Sequence, residues 1–473
     1  MSARDAAAPL SAARRTAIDA GLASARWAFW ALIIIAPFRL AIVTIQRPVP
    51  GVSSDYTDIR IVLAQLVLGI VLVAWAIALA AGHRSSFRLS RWGASAAAVL
   101  LVLIWVGVPV SIDATLSIER ALTVSAFAAL GVYVAAELGS VRDVAVPAAL
   151  MIVTQAGVAT AQAIEQHSLG LGLLGEHVLE PAASGISVVT SSAGVRLLRA
   201  YGLTDHPNIL GGLLALGMIA IAAAWLGTTD RRVRLGMVIV AALATIALLL
   251  TFSRGAWIGL VAGALVTATV VGAARGSRAS RPWLLLAGAM PVAIALSWFA
   301  LGPYLLARAD LGEDLPRTEA QSIDERLAIS GAALTVVGAH PLLGTGIGTL
   351  PEVLASDTTL AFEPGPAHVV PLEIAAEDGL PAAAAYVLLI VVAFRRAVLG
   401  VFRAGDRASP GPLAVGLLTA VVTVGLFDHY PWTSAAGLAW LAIAVGLCLR
   451  SAGAQPWVHA SGAEPTTARP ARA

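Results

Sequence analysis

Twelve stretches of this sequence are apolar over about the 20 residues needed to cross the hydrocarbon core of a bilayer. They lie at 27–45, 60–82, 93–111, 121–139, 144–163, 208–227, 235–252, 256–273, 283–302, 379–394, 411–427 and 435–449. In lipid no water meets the backbone amides and carbonyls, so such segments must pair them internally as helices. The expected fold is therefore an all-α polytopic membrane protein of about 12 transmembrane helices. Composition agrees: 58% of residues are hydrophobic and 12% charged, about half the charge of a soluble domain, and the mean hydropathy is +0.83. Only Phe252-Ser253-Arg254-Gly255 separates the seventh and eighth stretches, so a tight re-entrant hairpin is the alternative to two spans there.

Charge sets the expected orientation. There is no lysine, so the 31 basic residues are all arginines. With a cytoplasmic N-terminus, the inner loops and tails hold 21 arginines against 7 acidic residues, and the outer segments hold 10 against 21. Cytoplasmic loops carry such an excess, so both termini are expected inside. Residues 1–26 then form an N-terminal tail with Arg4, Arg14, Arg15 and Arg26. The apolar stretch that follows is too long for a cleaved signal peptide and reads as a retained span. The bundle runs from 27 to 449, and 450–473 reads as a disordered cytoplasmic tail.

Two outer loops are long, at 164–207 and 303–378. Loops beyond about 15 residues are usually functional or disordered. The second holds a helical run from Ser322 to Val337, then His340-Pro341-Leu342-Leu343-Gly344-Thr345-Gly346, then Ala367-His368, and reads as a partly helical extracytoplasmic cap.

Several residues there bear on chemistry. Arg254 stands where two spans meet, and a charge at a span is a functional candidate by default; the competing reading is a snorkelling or capping arginine. Arg326, in Asp324-Glu325-Arg326, either pairs on a solvated helix or converges with Arg254 on a pyrophosphate, which arginines bind through charge-assisted, often bidentate hydrogen bonds. His368 at a membrane edge is able to accept a proton near neutral pH, or is a loop or capping histidine. Glu373 and Glu377 are four apart and share a helix face, there to orient His368, to contact substrate hydroxyls, or to face solvent. His206-Pro207-Asn208 reads as a helix start, with substrate contact as the other role. Asp428 and His429 are candidates for the cap floor, beside Tyr430 and Trp432, which suit an interfacial aromatic belt.

Other chemistries lack their residues. Cys448 is the one cysteine, which excludes a disulfide scaffold, and no Cys/His set has metal-ligand spacing. There is no phosphate-binding Gly-rich loop, no GxSxG elbow and no Asp-x-Asp pair. The arginines follow topology, not a nucleic-acid patch. Neither metal nor cofactor is expected.

In order, Tyr201-Gly202-Leu203-Thr204-Asp205-His206-Pro207-Asn208, Ser253-Arg254-Gly255, Arg326 before His340-Pro341-Leu342-Leu343-Gly344-Thr345-Gly346, Ala367-His368 before Glu377-Asp378-Gly379, and Asp428-His429-Tyr430 cover about residues 200–450. With that series the sequence resembles the O-antigen ligase and polymerase superfamily of polytopic membrane glycosyltransferases. The resemblance implies metal-independent transfer of a glycan from undecaprenyl diphosphate to a glycan, lipid or protein acceptor hydroxyl at the outer face. It further implies that Arg254 and Arg326 hold the diphosphate and that His368 is the general base or orients the acceptor. One departure stands out: the family commonly has His-Asn where this chain has His368-Val369. The rival readings are a transporter or flippase of a lipid-linked or amphipathic substrate, for which Arg39 and Glu137 are the near-span charges, and a non-catalytic protein that has kept the fold. The first is weakened by the lack of an internal repeat.

Overall fold

The structure is a computed structural model that describes residues 12–85, 89–183, 185–191, 193–309, 317–356, 363–404 and 409–450. Most of the two tails expected from the sequence, 1–11 and 451–473, lies outside the described residues.

Among the described residues, ten helices are long and apolar enough to cross a membrane. They are α1 (Ala12–Ile35), α3 (Leu63–Ala80), α4 (Arg91–Gly107, with a 3-10 turn to Val110), α5 (Ala114–Glu137), α6 (Arg142–Glu165), α7 (Pro207–Leu226), α8 (Arg231–Leu250), α9 (Arg254–Arg275), α10 (Ser277–Ala309) and α13 (Val370–Ala404). Two shorter apolar helices, α14 (Gly411–Val424) and α16 (Ala435–Leu449), complete the twelve segments expected. The remaining helices are α2 (Ser54–Thr57), α11 (Arg317–Ala339), α12 (Leu350–Ala355) and α15 (Tyr430–Thr433). Two small antiparallel pairs accompany them, β1 (Ala41–Ile45) with β2 (Ile59–Val62) and β3 (Val188–Thr190) with β4 (Arg196–Leu198).

The bundle is layered by burial. α7 is buried at 16 positions and packs against α6, α8, α9 and α14. A helix with no polar face is what an all-round buried position requires. α3, α8 and α10 instead carry exposed Ile70, Val73, Ile77, Val238, Ile239, Leu296 and Phe299, as expected of side chains that meet lipid tails and not water. α14 spans only about 21 Å. It holds a central place between α9, α16, α13 and α7, so the non-helical backbone that follows it meets protein, the setting in which irregular backbone is tolerated at membrane depth.

Hydrogen bonds and ion pairs place the segments at two ends. At one end, Arg39 pairs with Asp205 at 2.6 Å, Arg47 with Asp113, Ile112 N donates to Thr345 O, Ala200 N to Leu250 O and Ser117 Oγ to Ile347 O. At the other end, Arg26 pairs with Asp143, His83 with Glu137, and Leu89 bridges Arg450. The loops therefore alternate between ends along the chain, and both long loops fall at the first, the cap end. The cap has its own small core of Ile329, Ala333, Val336, Leu350, Leu354, Ala367 and Ala376.

Three expected span boundaries are corrected, and at 252–255 two spans are found and not the hairpin that was their alternative. The first span is not 27–45: α1 stops at Ile35 before Pro37, and Ala41–Ile45 is an exposed strand, because a run of β-branched residues after a proline favours extended backbone. The tight hairpin at 252–255 is not formed; α8 and α9 are 20 and 22 residues long, each about 30 Å. The ninth segment, expected at 283–302, is 33 residues long and reaches Ala309. The eleventh, expected to end at 427, stops at Val424. The tenth starts at 370, but its helix breaks at Gly379, where φ is +87°, close to the start expected for that span. A Cβ at Gly379 would collide with the backbone of Leu342 and Leu343, so the break needs glycine both for its conformation and for the close approach.

Candidate functional site

The cap end contains a small, partly open cavity lined by Asn208, Ser253, Arg254, Arg308, Arg326, Val424, Phe427, Asp428 and Tyr430, among others. Three guanidinium groups meet there, from three separate helices.

Arg254 is the first residue of α9, and the turn before it is unusual. Phe252, fully buried, has φ +49°, a conformation that costs a bulky residue about 1–3 kcal/mol and is found where surroundings over-determine it. Trp257 Nε1 donates to Leu248 O at 3.0 Å across the same turn. The turn thus delivers Arg254 and the unpaired amides of a helix N-terminus to one place, both attractive to anions. The guanidiniums are oriented by backbone carbonyls. Arg254 Nη1 donates to Arg308 O at 3.0 Å, Arg308 Nε to Phe252 O at 2.9 Å, and Arg326 Nη1 to Phe427 O at 3.1 Å. Arg308 reaches the cavity because α10 is about 50 Å long, overshooting the hydrocarbon layer.

Asp428 is the carboxylate of the cavity. It follows α14, where Asp428 N closes the helix on Val424 O. Its Oδ2 accepts from Asn208 Nδ2 at 2.7 Å, and Oδ1 is 4.0 Å from His429 Nε2. Burial would raise this carboxyl, but His429, His368, Arg326 and His206 outweigh it and hold the group below the usual carboxylate range. His429 is fixed by Thr433 Oγ1, 2.7 Å from its Nδ1. Its ring meets His368 edge-to-face at 5.3 Å between centroids, and Tyr56 at 6.0 Å.

His368 does not line the cavity itself. It stands behind Asp428 and His429, and its Nδ1 is buried with no hydrogen-bond partner among the described residues. Burial first, then the field of His429 and Arg326, pushes its pKa down to about 3, with Asp428 opposing. At neutral pH the ring is therefore neutral, with a lone pair to accept a proton. Val369, the departure noted beside His368, sits in the turn before α13, its carbonyl accepting from Leu372 N and Glu373 N.

The other candidates divide. His206 caps α7, with Nδ1 accepting from Asn208 N at 3.1 Å, so the helix-start reading holds. Burial and then Arg199 bring its pKa down to about 3, with Asp428 opposing. Asn208 lines the cavity. Glu373 and Glu377 do not: each is 1% exposed, Glu373 accepts from Ala367 N at 2.5 Å and Glu377 from Leu350 N at 3.1 Å. Of the readings open for these two, the solvated face is excluded by their burial. A buried carboxylate needs partners, and these two find theirs in the backbone that shapes the cap.

Sequence reading missed Arg308, Arg199 and Tyr56. A signal was available for the arginines. Arginines on the side that topology leaves poor in basic residues run against the trend, and Arg199, Arg254, Arg308 and Arg326 are four of those ten.

This arrangement suits an anion of two or more charges held beside a neutral imidazole and an ionised carboxylate. Residues 239–387 match the family model described as O-antigen ligase. The matched segment runs from within α8 into α13 and contains Arg254, Arg308, Arg326, His368, Glu373 and Glu377; His206, Asn208, Asp428 and His429 lie beyond it. No curated protein matches the chain.

Proposed function

We propose that this multi-pass membrane protein of the O-antigen ligase superfamily, whose residues 239–387 are the matching domain, transfers a glycan from undecaprenyl diphosphate to an acceptor hydroxyl at the outer face of the bacterial cytoplasmic membrane. The observation that carries the reading is the convergence of Arg254, Arg308 and Arg326 on one cavity next to Asp428, His429 and His368.

The arginine asymmetry of the loops supports a cap end outside and both termini in the cytoplasm. The polyprenyl tail stays among the apolar spans, and its diphosphate reaches the guanidiniums. In the reaction the acceptor oxygen attacks the anomeric carbon. The bond from that carbon to the diphosphate oxygen breaks, and the diphosphate leaves with the electron pair. Fixed cations that meet this developing charge stabilise the transition state more than the ground state, so the arginines supply what a divalent metal supplies in other glycosyltransferases. The acceptor proton passes to His368. The arriving diphosphate offsets the field of Arg326, one of the causes that hold the imidazole's pKa low, and so raises its basicity when a base is needed. Asp428, held ionised, steadies the imidazolium. One displacement gives inversion at the anomeric carbon.

The test is transfer from a lipid-diphosphate glycan by purified Arg254→Ala, Arg326→Ala and His368→Ala variants. Each is expected to lose about 10²–10³-fold in kcat, the scale of removing one preorganised charge-stabilising or proton-accepting group. Parental rates in all three would overturn the assignment.

A further inference from the structure

Arg199 belongs to no motif singled out in the sequence and lies outside the family-matched segment. It follows β4 and is 3% exposed. Its three nitrogens are spread over three partners: Nε donates to Thr251 O at 2.7 Å, Nη1 to Ser187 Oγ at 2.7 Å and Nη2 to Asn208 Oδ1 at 2.5 Å. Asn208 Nδ2 in turn donates to Asp428 Oδ2 at 2.7 Å.

The order of these bonds has one consistent direction. A guanidinium only donates, so the atom of Asn208 that faces it must be the carbonyl oxygen. The amide nitrogen is then left for Asp428, and an ionised carboxylate only accepts. Arg199 and Asp428 thereby impose the same orientation on the amide, one from each side. Without Arg199 the amide oxygen loses its anchor, and the amide and the carboxylate bonded to it are free to shift together. With it, Oδ2 of Asp428 is tied back to α7, and Oδ1 remains on the side of His429.

We propose that Arg199 is a positioning residue for glycan transfer, which orients Asp428 toward the His429–His368 pair through the amide of Asn208. The role rests on the transferase reading above. It gives the 164–207 loop, from which Arg199 comes, a direct mechanical link to the reacting groups.

The experiment measures kcat and donor KM in the full-length protein reconstituted in nanodiscs, with a lipid-diphosphate glycan as donor. Arg199→Met is expected to lower kcat about tenfold or more with donor KM within about twofold, because the defect lies in orientation of the carboxylate and not in diphosphate binding. Arg199→Lys, which keeps a cationic donor, restores part of the loss. Adding Arg199→Met to Asn208→Ala costs less than about a further twofold, since residues acting through one contact are not additive. Ser187→Ala, which removes another Arg199 partner but leaves Asn208, keeps kcat within about twofold. Unchanged kcat in Arg199→Met, independent multiplication of the two losses, or a comparable loss in Ser187→Ala would each overturn the proposal while the parent remains active. An inactive parent would instead sink the transferase reading, and this role with it.

Discussion

Asp428 sets how basic His368 becomes, since it is the one acidic group among the charges that act on that imidazole. Asp428→Asn keeps the shape and a partner for Asn208 but removes the opposing charge. It is expected to lower kcat at least about tenfold in a protein that still folds, measured as transfer rate per correctly folded molecule; an unchanged rate would remove Asp428 from the mechanism. Stability should respond to pH through the same groups. His206 and His368 have pKa values near 3, against an ordinary 6.5. Below about 6.5 the unfolded chain takes up protons that the folded chain refuses, so stability is full above that value and is lost as pH falls toward 3. The denaturation midpoint in detergent should drop from pH 7 to pH 5, and His206→Gln with His368→Gln should flatten the slope. A midpoint that rises over that interval contradicts the burial of both rings. At this scale the sequence was informative where a charge broke an apolar block, as at Arg254. It was uninformative where placement depended on distant backbone: nothing local to Glu373 and Glu377 tells that they turn inward onto Ala367 and Leu350.

Among the elements, the break in α13 does most to assemble the site. It redirects the chain at Gly379, and Leu380 N is bonded to Pro341 O while Gly346 N is bonded to Glu377 O. The His340–Gly346 turn and the start of α13 thus hold each other. Gly379→Ala forces a side chain into a left-handed conformation against the Leu342 backbone and should cost more than about 1 kcal/mol, read as a lowered denaturation midpoint together with reduced transfer. A parental midpoint would mean that the break is soft. Hydropathy found each long apolar helix among the described residues, because a bilayer imposes length and apolarity directly on the chain. It failed at ends. A hydropathy window treats Ile42-Val43-Thr44-Ile45 as membrane because it ignores Pro37, and it stops the ninth helix near 302 because Arg308 lowers the average although the helix continues.

For the molecule as a whole, the ten long apolar helices and two shorter ones among the described residues have loops that alternate between ends, which puts every piece of the site at one end, and the arginine count favours an extracytoplasmic side for that end. Cys448 is buried and is the sole cysteine, so single added cysteines report topology cleanly. Leu173→Cys, at a position 95% exposed at the cap end, should react in intact cells with a membrane-impermeant maleimide. Thr229→Cys, exposed in the loop between α7 and α8, should react only after permeabilisation; the reverse pattern would place the cavity in the cytosol. The apolar helices were legible because hydropathy is one-dimensional. Convergence of α7, α9, α10, α11 and α14 on one cavity was not, because it is a property of packing. That convergence is the central claim, and the most direct measurement is the dissociation constant of undecaprenyl diphosphate for the parent protein and for Arg254→Ala, Arg308→Ala and Arg326→Ala in nanodiscs. Each substitution should weaken binding about tenfold or more, as expected for loss of a charge-assisted contact to phosphate, including Arg308, which no motif marks. Binding as tight in all three variants as in the parent would show that the three guanidiniums do not receive the diphosphate.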